Sequence, residues 1–257
     1  MKKGRNLLWL AFWSCLLFYQ CGPAGDEKDP QYLADLAIKA HGSKVFDQSI
    51  IEFKFRDRYY KSTRKDGKFI YERFWDSVGT VIHDVLDNRG FSRIVDQTEV
   101  ILDAKKKEAF SNSLRGVFYF FGLPFQLNDP PVIKEYLGEV MLMEQPYHKL
   151  KIRFKPDPAD QLIHDDVYVF WIHKKNHTVD YLAYSYTEPN ERGLRFRQAI
   201  NPRKIEGLRV QDYINYKPIR DSSSLKVEDM DMAWAGNQLT EMSRIINENV
   251  KIRLNKN

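Results

Sequence analysis

The sequence predicts a mainly β protein built on a single antiparallel sheet with two or three covering helices. Residues 164–216 contain four runs rich in Val, Ile, Tyr, Phe and Trp, separated by short polar breaks. Such spacing is typical of an antiparallel meander. From Ile51 to Tyr59 apolar and charged residues alternate, as in a strand with one solvated face. Apolar residues make up 43% of the chain and aromatic residues 14%, which is enough for a large core and excludes disorder of most of the chain.

The first 20 residues have the pattern of a signal peptide. Lys2, Lys3 and Arg5 precede an apolar run over residues 7–18, which is short for a membrane-spanning helix. The pattern resembles a bacterial lipoprotein signal, in which a Cys is acylated and begins the mature protein. We therefore predict that Cys21 is lipidated and that residues 21–30 form a tether. Lipidation of Cys15 is an alternative, as is a secretory signal or N-terminal anchor with an unmodified Cys.

The charge and cysteine content change once such a signal is removed. Residues 1–20 carry three basic side chains and no acidic ones, so the formal net charge falls from +5 to +2. The basic isoelectric point of the whole chain therefore gives little support for nucleic-acid binding, and no nucleic-acid partner is expected. A zinc site built from thiolates is excluded in the mature protein, because no Cys other than Cys21 would remain.

Residues 31–257 are predicted to form one β domain that begins with a helix. Apolar residues at helical spacing lie between Asp29-Pro30 and Gly42, which supply a start and a stop signal. Asp66-Gly67 and Asp87-Asn88 indicate hairpins between the strands that follow. A second helix is predicted over residues 104–121. Its apolar surface extends nearly all round, so we expect it to lie between layers or in the mouth of a curved sheet.

Further strands are predicted in the second half of the chain, at residues 132–136, 139–143 and 148–154. Residues 167–172 are apolar in both alternating positions, which indicates a strand that is covered on both faces. Residues 217–235 are polar and mixed, as in a loop or an edge segment. Residues 239–254 are predicted to be mostly strand.

Several long stretches resemble a family of Gram-negative envelope lipoproteins of unknown function. They include HDDVYVFWI, GLRFRQAINPRKIEGLRVQDYINY and FYFFGLPFQLNDPPVIKEYLGE. That family resembles the lipoprotein-carrier (LolA/LolB-like) half-barrels, in which a curved antiparallel sheet is plugged by helices and holds acyl chains. The resemblance implies a half-barrel here and supplies no catalytic residues. Relatives are sometimes named deoxyribose-phosphate aldolase, which this chain does not support because it lacks the alternating strand–helix pattern of a (β/α)₈ barrel.

Polar residues before the buried strand form the first candidate site. His164 and Asp166 can converge on one face of a strand, whereas Asp165 points away. A hydrogen-bonded strand entry is the simpler interpretation, and a metal site is not predicted. His173 and His177 have the spacing of a helical zinc pair, but they flank a Lys-Lys-Asn turn where the helix geometry is missing.

A hydrophobic ligand site is the second candidate. The helix over residues 110–121 is most simply core, but over a curved sheet it would be a lid for a lipid-sized cavity. Arg195, Arg197, Arg203 and Arg209 form a basic set on neighbouring strands, which would hold an anionic head group or pair with nearby carboxylates. The predicted ligand-binding residues are Phe110, Leu114, Phe118, Phe121, Trp171, Arg195 and Arg197.

The leading hypothesis is a non-enzymatic, lipid-anchored envelope protein that binds a lipid, an acyl chain or another hydrophobic ligand on its concave apolar face. Its partners would be this ligand and a membrane, the outer rather than the inner one, with the protein on the periplasmic or the surface side. No cofactor is predicted. The alternatives are a hydrolase or lyase centred on His164 and Asp166, and a structural lipoprotein without a ligand.

Overall fold

The structure is a computed structural model that describes residues 25–155, 166–188, 191–219 and 224–255. The predicted signal peptide over residues 1–20, both cysteines and His164 lie outside these ranges. Within the described ranges, no helix combines the length and the apolar character needed to cross a membrane.

The described residues form two antiparallel sheets of seven strands each. The first sheet has the strands β1 Ser49–Phe55, β2 Arg58–Lys65, β3 Lys68–Ser77, β4 Thr80–Asp87, β5 Gly90–Val95, β6 Thr98–Glu99 and β14 Glu248–Leu254, the last of which pairs with β1. The second sheet has the strands β7 Val132–Leu142, β8 Gln145–Phe154, β9 Tyr168–His173, β10 Val179–Glu188, β11 Glu191–Ile205, β12 Leu208–Pro218 and β13 Leu239–Ile245. The predicted hairpins at Asp66-Gly67 and Asp87-Asn88 join β2 to β3 and β4 to β5.

The prediction of a mainly antiparallel β protein with covering helices is confirmed, but the prediction of a single sheet is wrong. A helix separates β6 from β7, so the two meanders do not pair there. At the other end the chain passes from β13 to β14 through two residues, and the two strands enter different sheets. Hairpin signals specify each local pairing but not whether one ladder continues into the next, so the break could not be predicted.

In the described parts of the chain, four α-helices accompany the sheets: α1 Pro30–His41, α2 Ser43–Phe46, α3 Ala104–Gly122 and α4 Met230–Ala235. The Asp29 side chain caps α1 by accepting from the Tyr32 N–H at 2.7 Å, and Gly42 ends this helix at a φ of 96°. Asp103 caps α3 by accepting from the Lys106 N–H at 2.8 Å. The predictions of both long helices are therefore confirmed.

Two predictions about the second half of the chain were incomplete. The segment predicted as a loop at residues 217–235 contains α4, whose Met230 and Ala233 are buried against the second sheet. Such a short helix carries too few apolar positions to show a period. The strands predicted at residues 132–136 and 139–143 are one strand, β7, with an irregularity before Gly138 at a φ of 99°.

The helices define the layers of the molecule. On one face of β9, Phe170 and Ile172 pack in a cluster that includes Leu33 and Ala37 of α1. The opposite face of this strand packs in a cluster with α4, which confirms that the strand is covered on both sides. α3 contacts both sheets: Leu114 and Phe118 pack with residues of β1, β2 and β3, while Tyr119 and Phe120 contact rings of β9 and β10. This confirms that α3 lies between layers.

Candidate functional site

A cavity of about 280 Å³ lies between α3, the end of β1 and strands β11 to β13. Apolar and aromatic side chains form most of its wall, and the charged residues in the wall are both arginines. The lining residues are Phe55, Arg56, Ser113, Gly116, Val117, Phe120, Phe121, Arg197, Tyr213, Asn215, Met242, Ser243, Ile245 and Asn247.

The strand side of the cavity is built by register. Arg197 of β11 is opposite Asn215 of β12, which is opposite Ser243 of β13, so the three side chains form one row across the sheet. Tyr213 is opposite Ile245 in the neighbouring row. Burial raises the pKa of Tyr213, whose hydroxyl accepts a hydrogen bond from Gln211 Nε2 at 2.8 Å. This residue therefore presents a neutral aromatic surface.

The helical side of the cavity is formed by one stripe of α3. The ring of Phe121 stacks on Phe53 of β1 at a centroid distance of 4.4 Å. The Phe120 ring lies 5.1 Å from that of Tyr184, between centroids, on the second sheet. A Cβ at Gly116 would have no heavy-atom neighbour within 4 Å, so the helix leaves open space at this position.

Of the two arginines in the wall, Arg197 is the buried one, with 7% of its surface exposed. Its Cζ lies 3.8 Å from the centroid of the Phe120 ring, and its Nη2 donates to the Tyr184 hydroxyl at 2.9 Å. Its Nε and Nη1 are buried without a hydrogen-bond partner, as is Oδ1 of the adjacent Asn215. A desolvated guanidinium with two donors that no protein atom accepts is costly.

The other three arginines of the predicted basic set have partners. Arg203 pairs with Asp212 at 3.2 Å, and Arg209 pairs with Asp180 at 3.4 Å. Arg195 donates to the Tyr186 hydroxyl and to the Leu194 carbonyl, and it does not line the cavity. The structure therefore separates Arg197 from the rest of the set.

The predicted aromatic and aliphatic residues of α3 fall into two groups. Phe121 lines the cavity. Leu114 and Phe118 are buried in the core, where Phe118 stacks on Tyr71 at 4.3 Å between centroids. Phe110 lies 3.7 Å from the Arg93 guanidinium, measured from its ring centroid. α3 thus presents one side to the first sheet and another side to the cavity.

Trp171 lies away from the cavity, on the other face of the second sheet. It is fully buried, its Nε1 donates to Asp231 Oδ2 at 3.1 Å, and its ring makes an edge contact with Phe196 at 5.5 Å between centroids. Because neighbouring residues of a strand point to opposite faces, Trp171 cannot share a site with the residues that pack against α3. The structure therefore does not bring Trp171 and Phe121 together.

The histidine candidates take part in local hydrogen bonds. His173 Nδ1 accepts from the backbone N–H of Lys175 and of Asn176, which orders the turn between β9 and β10. His177 Nε2 lies 3.1 Å from Glu27 Oε1, and His148 Nε2 lies 2.9 Å from Glu27 Oε2. The hydrogen bond to His177 is the main cause that holds the pKa of Glu27 below its usual range. Glu27, within the predicted tether, is thus bound to the second sheet.

Asp166 precedes β9, and its charge, after burial and Asp129, helps to raise the pKa of Tyr119. Its predicted companion His164 is outside the described residues. In the part of the chain that the structure describes, no three His, Cys, Asp or Glu side chains are grouped so that they could hold a metal ion.

A larger depression of about 520 Å³ follows β1, β2 and β14. Two of its cations are paired: Lys54 lies 3.7 Å from Glu248, and Lys61 lies 3.1 Å from Glu72. None of its described lining residues has a buried polar side-chain atom without a hydrogen-bond partner. We therefore take the smaller cavity beneath α3 as the candidate site.

Sequence reasoning missed most of the strand side of this cavity. Asn215, Ser243 and Ile245 lie on strands that were predicted, but their common row depends on the register of three strands. Phe120 lies within the predicted helix over residues 104–121, but its contact with Arg197 is not encoded in that segment. The usable signal for the strand side was the basic set on β11 and β12, from which Arg197 was predicted.

The chain belongs to a family of unknown function, DUF6503, whose profile matches residues 10–247. This confirms the predicted membership of such a family. No curated protein is significantly similar in sequence.

Similar solved structures include a LolA superfamily protein from Nitrosomonas europaea, with 12% identity, coverage of 87% of this chain and 93% of that chain, and a TM-score of 0.49. A domain from Vibrio parahaemolyticus described as an outer membrane lipoprotein-sorting protein has 11% identity, coverage of 88% and 94%, and a TM-score of 0.45. A DUF1329 family protein from Desulfovibrio piger has 14% identity, coverage of 73% and 86%, and a TM-score of 0.44.

Proposed function

We propose that this chain is a non-enzymatic, lipid-anchored envelope protein that binds a lipid, an acyl chain or another hydrophobic ligand in the cavity beneath α3. The observation that carries the proposal is the aromatic and aliphatic wall that α3 and strands β11 to β13 form around open space. The anchor would be Cys21, and the protein would face the periplasm or the cell surface from the outer membrane. The proposed binding residues at the cavity are Phe121 and Arg197, joined by Val117, Phe120 and Ile245.

The size of the cavity limits the ligand. Small-molecule sites commonly have volumes of about 300–1,000 Å³, so this cavity, at about 280 Å³, lies just below that range. One acyl chain fits such a space better than a lipid with several chains. Burial of the chain would drive binding at about 25 cal/mol per Å² of apolar surface removed from water.

α3 is held less firmly on the side that faces the cavity and the second sheet than on the side that faces the first sheet. Towards the first sheet, Ser113 accepts a hydrogen bond from Arg73 at 3.0 Å, and Phe110 packs under Arg93. Towards the second sheet, Tyr119 and Phe120 contact the rings of Tyr168 and Tyr184, and Phe120 also contacts the guanidinium of Arg197. We infer that a ligand enters between α3 and the second sheet.

Filling the cavity from Gly116 tests this function. Gly116→Phe places a ring in the open space beside the helix, where an added Cβ meets no atom, and it should abolish binding without a clash. Gly116→Ala is the matched control, because it keeps most of the space and favours the helix by about 1 kcal/mol. Titration with the uncharged fluorophore N-phenyl-1-naphthylamine should show saturable enhancement for the wild type and Gly116→Ala only. Equal binding by Gly116→Phe would contradict the proposed site.

A further inference from the structure

We propose that the ligand of this cavity is an anionic, single-chain amphiphile whose carboxylate or phosphate head group binds Arg197. This inference rests on the proposed function and names the class of ligand. The apolar wall alone would accept any hydrophobic molecule, whereas a buried cation in that wall selects for negative charge.

Two other buried cations of this protein pair with carboxylates. Arg73, at 3% side-chain exposure, pairs with Asp84, and Lys149, at 14%, pairs with Asp231 at 3.2 Å. Arg197, with 7% of its surface exposed, is buried to a similar degree but has a neutral hydroxyl and an aromatic ring as its neighbours. Because a buried charge is normally compensated, the missing carboxylate is a specific feature of this position.

The charged residues of the cavity are both cations. No Asp or Glu is among its described lining residues, and Arg56 adds a second cation that is exposed. The cavity is therefore positive without an internal counter-ion. An anion that enters it gains charge-assisted hydrogen bonds in a desolvated environment, where such bonds are strong.

Arg197 and Tyr184 carry the hydrogen-bond donors that an anion would use. Arg197 Nε and Nη1 carry hydrogens that no protein atom accepts. The Tyr184 hydroxyl already accepts from Nη2, so its own hydrogen is free to turn to a second oxygen. Both nitrogens are buried, so an anion would reach them when the guanidinium turns towards the cavity. A carboxylate or a phosphate monoester has enough acceptor oxygens to use these donors together.

The apolar part of the wall would hold the chain of the ligand. From Arg197 the wall continues through Phe120, Phe121, Val117 and Ile245. The cavity holds the volume of about nine water molecules at about 30 Å³ each, which is room for the head group and the first part of one chain. The guanidinium stacked on Phe120 joins the polar end of this path to its apolar part.

The test compares laurate, lauryl phosphate and uncharged lauryl alcohol as competitors of the bound fluorophore, using the whole protein. Wild type should bind at least one of the anions at least about tenfold more tightly than the alcohol, since hydrogen bonds to a charged group contribute about that factor or more. Whichever anion binds more tightly identifies the head group as carboxylate or phosphate.

Arg197→Met should remove this preference, so that its affinity for both anions falls to about its own affinity for lauryl alcohol. Its melting temperature without ligand should be equal to or above that of the wild type, because the substitution removes an unpaired buried charge and keeps the side-chain length. A merely structural arginine would instead lower the melting temperature. Arg244→Met is the matched control: Arg244 lies between cavity residues Ser243 and Ile245 on β13, is exposed and pairs with Glu241.

The outcomes separate this inference from the proposed function. Equal wild-type affinity for the anions and the alcohol would overturn the inference and leave the hydrophobic site standing. Failure of all three amphiphiles and of the fluorophore to bind would overturn both. An anion preference that survives in Arg197→Met would also overturn the inference. The wild-type comparison decides the question even if the variant does not fold.

Discussion

At the scale of single residues, His41 shows how burial controls a titratable group. It ends α1 with 1% of its surface exposed, and its Nε2 accepts from the Val179 N–H at 3.1 Å. Burial, and after it the charge of Arg209, lowers the pKa of His41 from 6.5 to about 3. The imidazole is therefore neutral in the folded protein over a pH range in which it is protonated in the unfolded chain.

This predicts an acid-sensitive stability that His41 controls. The folded pKa is depressed, so the contribution is complete above pH 6.5 and is lost progressively as the pH falls towards about 3. The free energy of unfolding, measured by urea titration at several pH values, should decline below pH 6.5 in the wild type. His41→Gln keeps an acceptor for Val179 without the titration and should flatten this decline. An unchanged slope in the variant would contradict the assignment.

At the scale of elements, α3 is held on the first sheet through a buried ion group. Asp84 is fully buried and accepts from Arg73 Nε at 3.0 Å and from Arg93 Nε at 2.7 Å. Arg73 reaches Ser113 of the helix, and Arg93 lies on Phe110. The helical stripe predicted from the sequence is therefore fixed in place by polar groups from β3, β4 and β5 that no helical period reveals.

Removal of the Asp84 charge should be strongly destabilising. Asp84→Asn leaves two guanidinium groups near each other with no counter-charge, and loss of one partner from such a buried group costs about 3–5 kcal/mol. Asp66→Asn in the exposed β2–β3 turn is the control, because Asn tolerates the positive φ of 49° at that position. Chemical denaturation of both variants measures the difference. A cost for Asp84→Asn within the error of the control would show that the ion group does not support the fold.

At the scale of the whole molecule, the two sheets are joined where β13 gives way to β14. The Asn247 N–H donates to Asp212 Oδ1 at 2.9 Å, and Asn247 Nδ2 donates to the Gln211 carbonyl at 3.1 Å. Asp212 also accepts from Arg203 and Asn201. This network fixes the connecting residues to β12, while the strand that follows them pairs with β1.

Asp212→Ala should loosen this junction. It leaves a buried N–H and a half-buried arginine without their acceptor, so we expect a loss of about 3 kcal/mol and faster amide exchange along β14. Asp57→Ala is the control: Asp57 also interrupts an apolar alternation, but it is exposed at the end of β1. Hydrogen exchange followed by mass spectrometry measures both. Unchanged protection of β14 in Asp212→Ala would contradict the role of the junction.

The sequence by itself determined the class of fold, α1, α3, most strands and the doubly buried strand β9. Each of these depends on local periods, caps and turn residues, which the chain carries within a few positions. The division into two sheets, the row that joins Arg197 to Asn215 and Ser243, and the placement of Trp171 on the opposite face were decided only by the tertiary structure. The physical reason is that these depend on strand register and on where a ladder stops, which no single segment encodes. The missing partner of Arg197 likewise becomes visible only when every neighbour around the guanidinium is in place.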